Sequence, residues 1–294
     1  MTSKAFGLAQ LGNAYADGAL SNRNILINGN FSIWQRGDYT TATAASHNTY
    51  YPDRWKIESG LSQTIQDTNR SAKVSVTSGG TNIVGLRQVV EDKNRVITLG
   101  KQVTFSAKVI SNSSNARLCI YADGWSVGSA HSGNGTEETL TVTVTVASSL
   151  TYGLIAEVSI CGAGYSNVAI SSGDYIEFTE AQLEVGDTAT PFEHRSYGAE
   201  LALCQRYYEV GDFYGYFTTS NSGSFNPDAI YQGEFKVQKR TAPSMTQTNY
   251  VNVGSAVSGS PSNITVHGFV QAIEIAGGGF VGGHDYDWQA DAEL

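Results

Sequence analysis

The sequence predicts an all-β protein: an antiparallel jelly-roll β-sandwich, a short connecting helix and a second, smaller C-terminal β domain. Three observations lead there. Segments such as TLTVTVTVA and KQVTFSAKVIS alternate apolar and polar residues with the period of two that a half-buried strand needs. No helix-period segment separates the strands of the first two-thirds of the chain, which argues against βαβ units and a parallel sheet. The composition agrees. Charged residues are 15% of the 294, against about 25% in an ordinary globular domain, and there are 32 Gly, 16 Tyr and 5 Pro. Turn-rich connections and polar strand faces have that profile.

The elements follow in order. Residues 1–22 are rich in small residues, and Phe6, Leu8 and Leu11 give only a loose apolar stripe. Such a segment builds no core of its own, so it either docks on another chain as an attachment arm or frays in solution. NILINGNFSIWQ is read as the first strand, with Asn28-Gly29 as a turn or bulge signal. DRWKIES, AKVSVTS, VGLRQVVE, KQVTFSAKVIS and RLCIYAD follow, then TLTVTVTVA, YGLIAEVSI and DYIEFTEAQLEV. Leu140, Val142, Val144 and Val146 are assigned to one face of their strand and Thr141, Thr143 and Thr145 to the other. One apolar and one polar face per strand implies two sheets packed face to face. The sandwich is placed at 23–192.

A helical connector is placed at 193–210, with Ser196 as N-cap and Ala199, Leu201, Ala202, Leu203 and Arg206 as helix formers. Strand patterns return in 211–294: YGYFTTS, AIYQGEFKV, SMTQTNYVNV, NITVHGFVQAIEIAG and HDYDWQADAEL. These make the smaller β domain.

The net charge is −9 and there is no basic stripe, so a nucleic-acid partner is not expected. No apolar run reaches the 18 residues of a membrane-spanning helix. The start lacks the basic and apolar regions of a signal peptide, so synthesis without Sec export is expected. Cys119, Cys161 and Cys204 are odd in number and far apart, and are read as reduced structural thiols.

NILINGNFSIWQRG followed by YYPDRW resembles a segment common in bacteriophage virion fibre and tail proteins. AQLEVGDTATPFEHRSYGAELALCQRYYE and the terminal ADAEL resemble it too. The opening NxLxNGxF and the late AQLEVG are also similar to the first and last strands of jelly-roll carbohydrate-binding modules. The likeness lies near 24–55, near 176–209 and at the C-terminus. It implies a non-enzymatic, oligomeric virion appendage, often a homotrimer, that joins other virion proteins through residues 1–22 and touches a host-surface glycan. Synthesis in the bacterial host's cytoplasm goes with it. A head fibre, decoration or neck protein with a purely structural role is the alternative, and a glycan depolymerase a further one. Its motif residues are Asn28, Gly29, Phe31, Trp34, Arg36, Asp53, Arg54, Trp55, Gln205, Arg206 and Tyr207. Beside them, Phe31, Ile33 and Trp34 are expected to fill one end of the sandwich, with an arginine stacked on Trp34 or Trp55.

No nucleophile elbow, zinc-protease motif or phosphate loop occurs, and the five His are scattered. No two carboxylates are paired across a groove by the pattern, so catalytic residues are not assigned. The Gly-rich GGGFVGGHDYDW lies between no strand and helix, and is read as turns or close chain packing. Sugar faces stack on exposed aromatics, which makes Tyr121, Trp125 and His131 in YADGWSVGSAHSGNG the first candidate glycan-binding group. For Trp125 a cap on the sandwich core is the plainer reading. Tyr214 and Tyr216, in GDFYGYFTTS, are the second group, with a subunit interface as the other reading. No cofactor is expected apart from a structural calcium ion, for which Asn30, Asp53 and Glu184 are the candidate oxygen ligands.

Overall fold

A computed structural model describes residues 23–91, 96–218, 229–254, 256–257, 259–275 and 281–293. The expected arm at 1–22 and the Gly-rich 276–280 lie outside them. The chain divides into two compact units, the first ending at Glu200 and the second beginning at Leu201.

The first unit carries β1 (Thr43–Ala45), β2 (Lys56–Ser59), β3 (Ser62–Asp67), β4 (Ala72–Ser78), β5 (Gly80–Asn82) and β6 (Val84–Val90). After a 3-10 turn at Val96–Thr98 come β7 (Gln102–Ser111), β8 (Ala116–Ala122), β9 (Trp125–Val127) and β10 (Glu137–Thr145). β11 (Leu154–Ile160), β12 (Val168–Ile170) and β13 (Tyr175–Val185) complete it. A six-stranded sheet has the order β1-β3-β4-β13-β7-β10, and a five-stranded sheet the order β2-β6-β11-β8-β9. All pairings are antiparallel. This is the predicted jelly-roll sandwich. Between the sheets lies the core, with Trp55, Ile57, Val74, Leu86, Phe105, Leu118, Ile120, Val158, Phe178 and Leu183 buried. The β10 alternation holds, since Leu140, Val142 and Val146 are buried while Thr141, Thr143 and Thr145 are exposed. β1, β3, β5, β9 and β12 escaped the pattern reading. Four of them have only three residues, too few for a period to register.

NILINGNFSIWQ is the main correction: residues 24–35 form no strand. The segment is a buried irregular plug. Asn28 and Phe31 hold left-handed φ values of 58° and 50°, which interrupt a regular ladder. Side chains replace a ladder. Asn28 donates through Nδ2 to the carbonyls of Ile33 (2.8 Å) and Asp53 (3.1 Å) and accepts from Ile33 N (3.1 Å). Gln88 accepts from Ile27 N and donates to Ile27 O. Asn24 donates to Ala181 O and accepts from the Leu26 and Leu183 amides. Among the described residues, the backbone-to-backbone bonds that join the plug to β13 are Ile25 N to Leu183 O and Ala181 N to Gly29 O, too few for a ladder. Gly29 is required there, because a Cβ would lie 2.1 Å from Ala181 O.

Phe31 belongs to the sandwich core and Trp34 packs against it, while Ile33 is buried outside that cluster; Phe31 packs on Trp55 and edge-on against Phe178. The expected arginine on tryptophan is corrected. Arg36 lies over Tyr50, 5.3 Å from its centroid, and Arg54 is buried with Nη2 donating to Val89 O at 2.8 Å. Both arginines answer to partners that the local sequence does not place beside them.

The helix α1 (Tyr197–Gln205) starts at the expected cap: Ser196 Oγ accepts from Ala199 N at 3.3 Å. Ser196→Ala should cost about 1 kcal/mol, read as a lower urea midpoint at unchanged slope. The second unit has β14 (Tyr208–Thr218), β15 (Ala229–Glu234), β16 (Ser244–Gly254), β17 (Ala256–Val257), β18 (Gly268–Ile275) and β19 (Val281–Asp291). They form two antiparallel sheets, β14-β19-β16 and β15-β18-β17. Its core is aromatic: Phe213, Phe235, Phe269, Tyr286 and Trp288. The motif residues Gln205 and Tyr207 are buried, and the Tyr207 carbonyl accepts from Ala292 N. The Arg206 carbonyl accepts from Arg240 N, so this motif is structural.

Candidate functional site

The five-stranded sheet turns Ile57, Leu86, Val158 and Leu118 inward, so their neighbours in each strand face outward. The register then lines up two outer rows. One is Lys56, Arg87, Glu157, Cys119 and Val127; the other is Val89, Ile155, Tyr121 and Trp125. Glu58, Gly85, Ser159 and Arg117 lie beside the first. A Cβ on Gly85 would meet Val158 O at 2.2 Å, so glycine is needed between Glu58 and Ser159.

Three half-buried rings make this face aromatic. Tyr121 and Trp125 meet at 5.3 Å and 60°, and Trp125 stacks on Tyr165 at 3.6 Å and 14°. Tyr165 comes from the loop after β11, where Gly162 N donates to Ser166 O and Tyr165 N to Gly162 O. The Tyr165 hydroxyl donates to Glu157, 2.8 Å from Oε2 and 3.0 Å from Oε1. At the sheet's other edge Arg87 Nη2 pairs with Glu58 Oε2 at 2.7 Å, both side chains partly exposed. Arg117 Nη1 donates to Gly128 O.

Glu157 has no exposed surface. Burial pushes its carboxyl up to about 8, against the downward pull of hydrogen bonds from Tyr165 and Ser159. It is therefore protonated at neutral pH. Burial raises the Tyr165 phenol as well, helped by the Glu157 charge. A face of flat rings flanked by a guanidinium–carboxylate pair can stack a sugar ring and bind its hydroxyls. Glu157 lies beneath Tyr165 and out of solvent, so it supports the ring and meets no ligand.

Two of the predicted residues, Tyr121 and Trp125, come together here, and Trp125 lies on the outer face and not in the sandwich core. His131 does not join them. It is buried, with Nε2 against Thr136 O at 2.9 Å and Nδ1 accepting from Gly133 N. It braces a turn, because both ring nitrogens have local backbone partners. Tyr214 and Tyr216 belong to the second unit, where they are exposed on the outer face of β14. Tyr214 pairs with Asp285 and Tyr216 with Gly283 across the ladder.

The calcium set is not assembled by its contacts. Asp53 accepts from the Gln35 amide and side chain, at 2.7 and 2.8 Å. Glu184 accepts from Gln182 Nε2, Thr190 N and Thr190 Oγ1. Asn30 Oδ1 is buried without a hydrogen-bond partner. Among the described residues no group of three or more His, Cys, Asp or Glu is placed to hold a metal. Sequence reasoning missed Tyr165 and Glu157. CGAGYSNV has the same small-residue loop around an aromatic as YADGWSVGS, and Glu157 interrupts the apolar LIAEVSI; both were available signals.

No family model matches the chain, and no curated protein matches it. Solved structures do. A CBM4 structure matches at 16% identity and a TM-score of 0.34, over 54% of this chain and 98% of the other. The CBM22-1 xylan-binding domain from Paenibacillus barcinonensis matches at 10% identity and a TM-score of 0.31, over 52% and 99%. A mutant of a family 29 carbohydrate-binding module matches at 15% identity and a TM-score of 0.30, over 49% and 91%.

Proposed function

We propose that the protein is a non-catalytic glycan-binding subunit of a bacteriophage virion appendage, and that the outer face of its five-stranded sheet is the sugar platform. The observation that carries the binding site is the cluster of Tyr121, Trp125 and Tyr165, with the stacked pair at 3.6 Å and the Arg87–Glu58 pair at its flank. Exposed or half-exposed aromatics grouped on one face mark a binding surface more than a packing need. The virion assignment rests on the resemblance of the 24–55 and 176–209 segments and of the C-terminus. A trimer is part of it, since three weak sites on one appendage gain roughly 10²–10⁴ in avidity. The non-catalytic reading is supported by Glu157, the carboxyl nearest the rings, being sealed from solvent.

Affinity electrophoresis of the full-length protein tests the site, through gels containing lipopolysaccharide O-chain, peptidoglycan fragments, mannan or xylan. Retardation in at least one gel is expected. It should weaken about tenfold in Trp125→Ala and Tyr165→Ala, the loss of roughly 1.4 kcal/mol of stacking. Tyr214→Ser in the second unit should leave it unchanged. Free migration in every gel overturns the platform, and loss in Tyr214→Ser alone moves it to the second unit. Sedimentation equilibrium tests assembly: three times the chain mass is expected, and a monomer at high concentration removes the avidity argument.

A further inference from the structure

We propose that Cys119 and Cys161 are a dithiol switch, oxidising in the folded protein to a disulfide that fastens the Tyr165 loop to the five-stranded sheet. Their sulfurs are 3.6 Å apart, although the residues are 42 positions apart in sequence. Cys119 is central in β8, and Cys161 is the first residue after β11, where the loop begins. Both are buried in one cluster with Ile83, against which Trp125, Val127 and Tyr165 pack. A bonded pair needs about 2.05 Å, so the sulfurs must approach by roughly 1.5 Å. The loop is the partner that can yield. Ala163, Gly164, Ser166 and Asn167 are exposed; Cys161 N donates to Asn115 O at 3.0 Å, so its backbone stays beside β8 and the closing movement falls to the two side chains and to the loop from Gly162 on. When it lifts, Cys161 is the sulfur that a reagent meets first.

The two thiols are also unequal. The contact with Cys119 lowers the Cys161 thiol and burial opposes it, while the contact with Cys161 and burial push Cys119 up. Cys161, the more acidic of the two and the one at the loop, supplies the attacking thiolate, and Cys119 keeps its proton until the second step. With oxidised glutathione as the oxidant, the Cys161 thiolate attacks one glutathione sulfur. The glutathione disulfide breaks, a mixed disulfide forms, and one glutathione thiolate leaves. Cys119 then loses its proton and attacks Cys161 Sγ, expelling the second glutathione. Two protein thiols and one glutathione disulfide become one protein disulfide and two glutathione thiols.

In the reduced protein, stacking on Trp125 and the hydroxyl bond to Glu157 hold Tyr165 down. In the oxidised one a covalent bond at the loop's first residue adds to them. The switch therefore fixes the Tyr165 ring of the face when the protein passes from a reducing to an oxidising solution. Its readouts contain no sugar, so its failure is separable from failure of the glycan platform.

The full-length protein is incubated with oxidised glutathione at pH 7.5, then denatured for thiol titration and mass measurement. One titratable thiol, Cys204, and a mass lower by two hydrogens than the reduced chain are expected. A Cys119–Cys161 peptide should link β8 to the loop. Cys119→Ser should instead accumulate a glutathione adduct on Cys161. Amide exchange at 162–167 should slow by about tenfold or more on oxidation. Three titratable thiols after incubation, a pairing that includes Cys204, or unchanged exchange in the loop each overturns the switch.

Discussion

Lys239→Met should destabilise the second unit by about 3–5 kcal/mol, one of the two largest effects expected of a point change in this protein. Lys239 has no exposed side-chain surface, and neither has its partner Glu209. The ammonium donates to Glu209 Oε2 and to the carbonyl of Gln205, the last residue of α1. It also lies 4.8 Å from the Phe235 ring centroid. A cation at that helix end meets the unpaired carbonyls and the negative end of the helix dipole. Burial lowers the Lys239 ammonium below its ordinary range, and the Glu209 bond opposes that.

Removing the cation leaves Glu209 with its charge and with the Lys236 amide at 3.1 Å as a donor, but no counter-ion. That stranded charge, more than the lost pair, is the cost. Lys239→Met with Glu209→Leu should therefore recover more than half of the loss, because two apolar groups need no partner. Calorimetry of the singles and the double closes the cycle. Strictly additive losses would mean that the two groups do not interact.

The second unit shows how much the sequence can and cannot carry. β19 was legible from HDYDWQADAEL, where Tyr286, Trp288 and Ala290 alternate into the core. The Lys239–Glu209 pair was not, since its partners are 30 positions apart and meet only through the fold. The first unit repeats the lesson. TLTVTVTVA became β10 because a period of two has one outcome on a half-buried sheet. NILINGNFSIWQ has the same alternation and is not a strand, because Asn28 and Phe31 adopt left-handed backbone that Asn24, Asn28 and Gln88 side chains satisfy. Asn-Gly in that segment was the local warning. For the site, Tyr121 and Trp125 were legible as aromatics in a Gly/Ser-rich loop. Their joining with Tyr165 and Glu157 depends on the order β11-β8-β9, which no local pattern encodes.

Glu157→Gln should stabilise the first unit at pH 7 by roughly 3 kcal/mol and remove most of its pH dependence between 4.5 and 8. The ordinary carboxyl value is 4.5, and burial in the fold raises it to about 8. Between those values the folded chain keeps a proton that the unfolded chain has released. Unfolding therefore loses that proton, and raising the pH favours it. Stability is fully present below 4.5, declines by about 1.4 kcal/mol for each pH unit, and levels off above 8. Glutamine has the shape of the protonated acid and no proton to lose. Its amide oxygen can accept from the Tyr165 hydroxyl as Glu157 does now. Calorimetric melts of both proteins at pH 5 and pH 8.5 measure the difference. The wild-type transition should fall with pH while that of Glu157→Gln stays nearly level, and parallel curves would show that Glu157 titrates as an exposed carboxyl. Tyr165→Phe separates the two contributions to the latch. It removes the donor, leaves the ring on Trp125, and should extend the fall to pH values above 8 at the same slope, because the carboxylate then forms without its bond from the phenol.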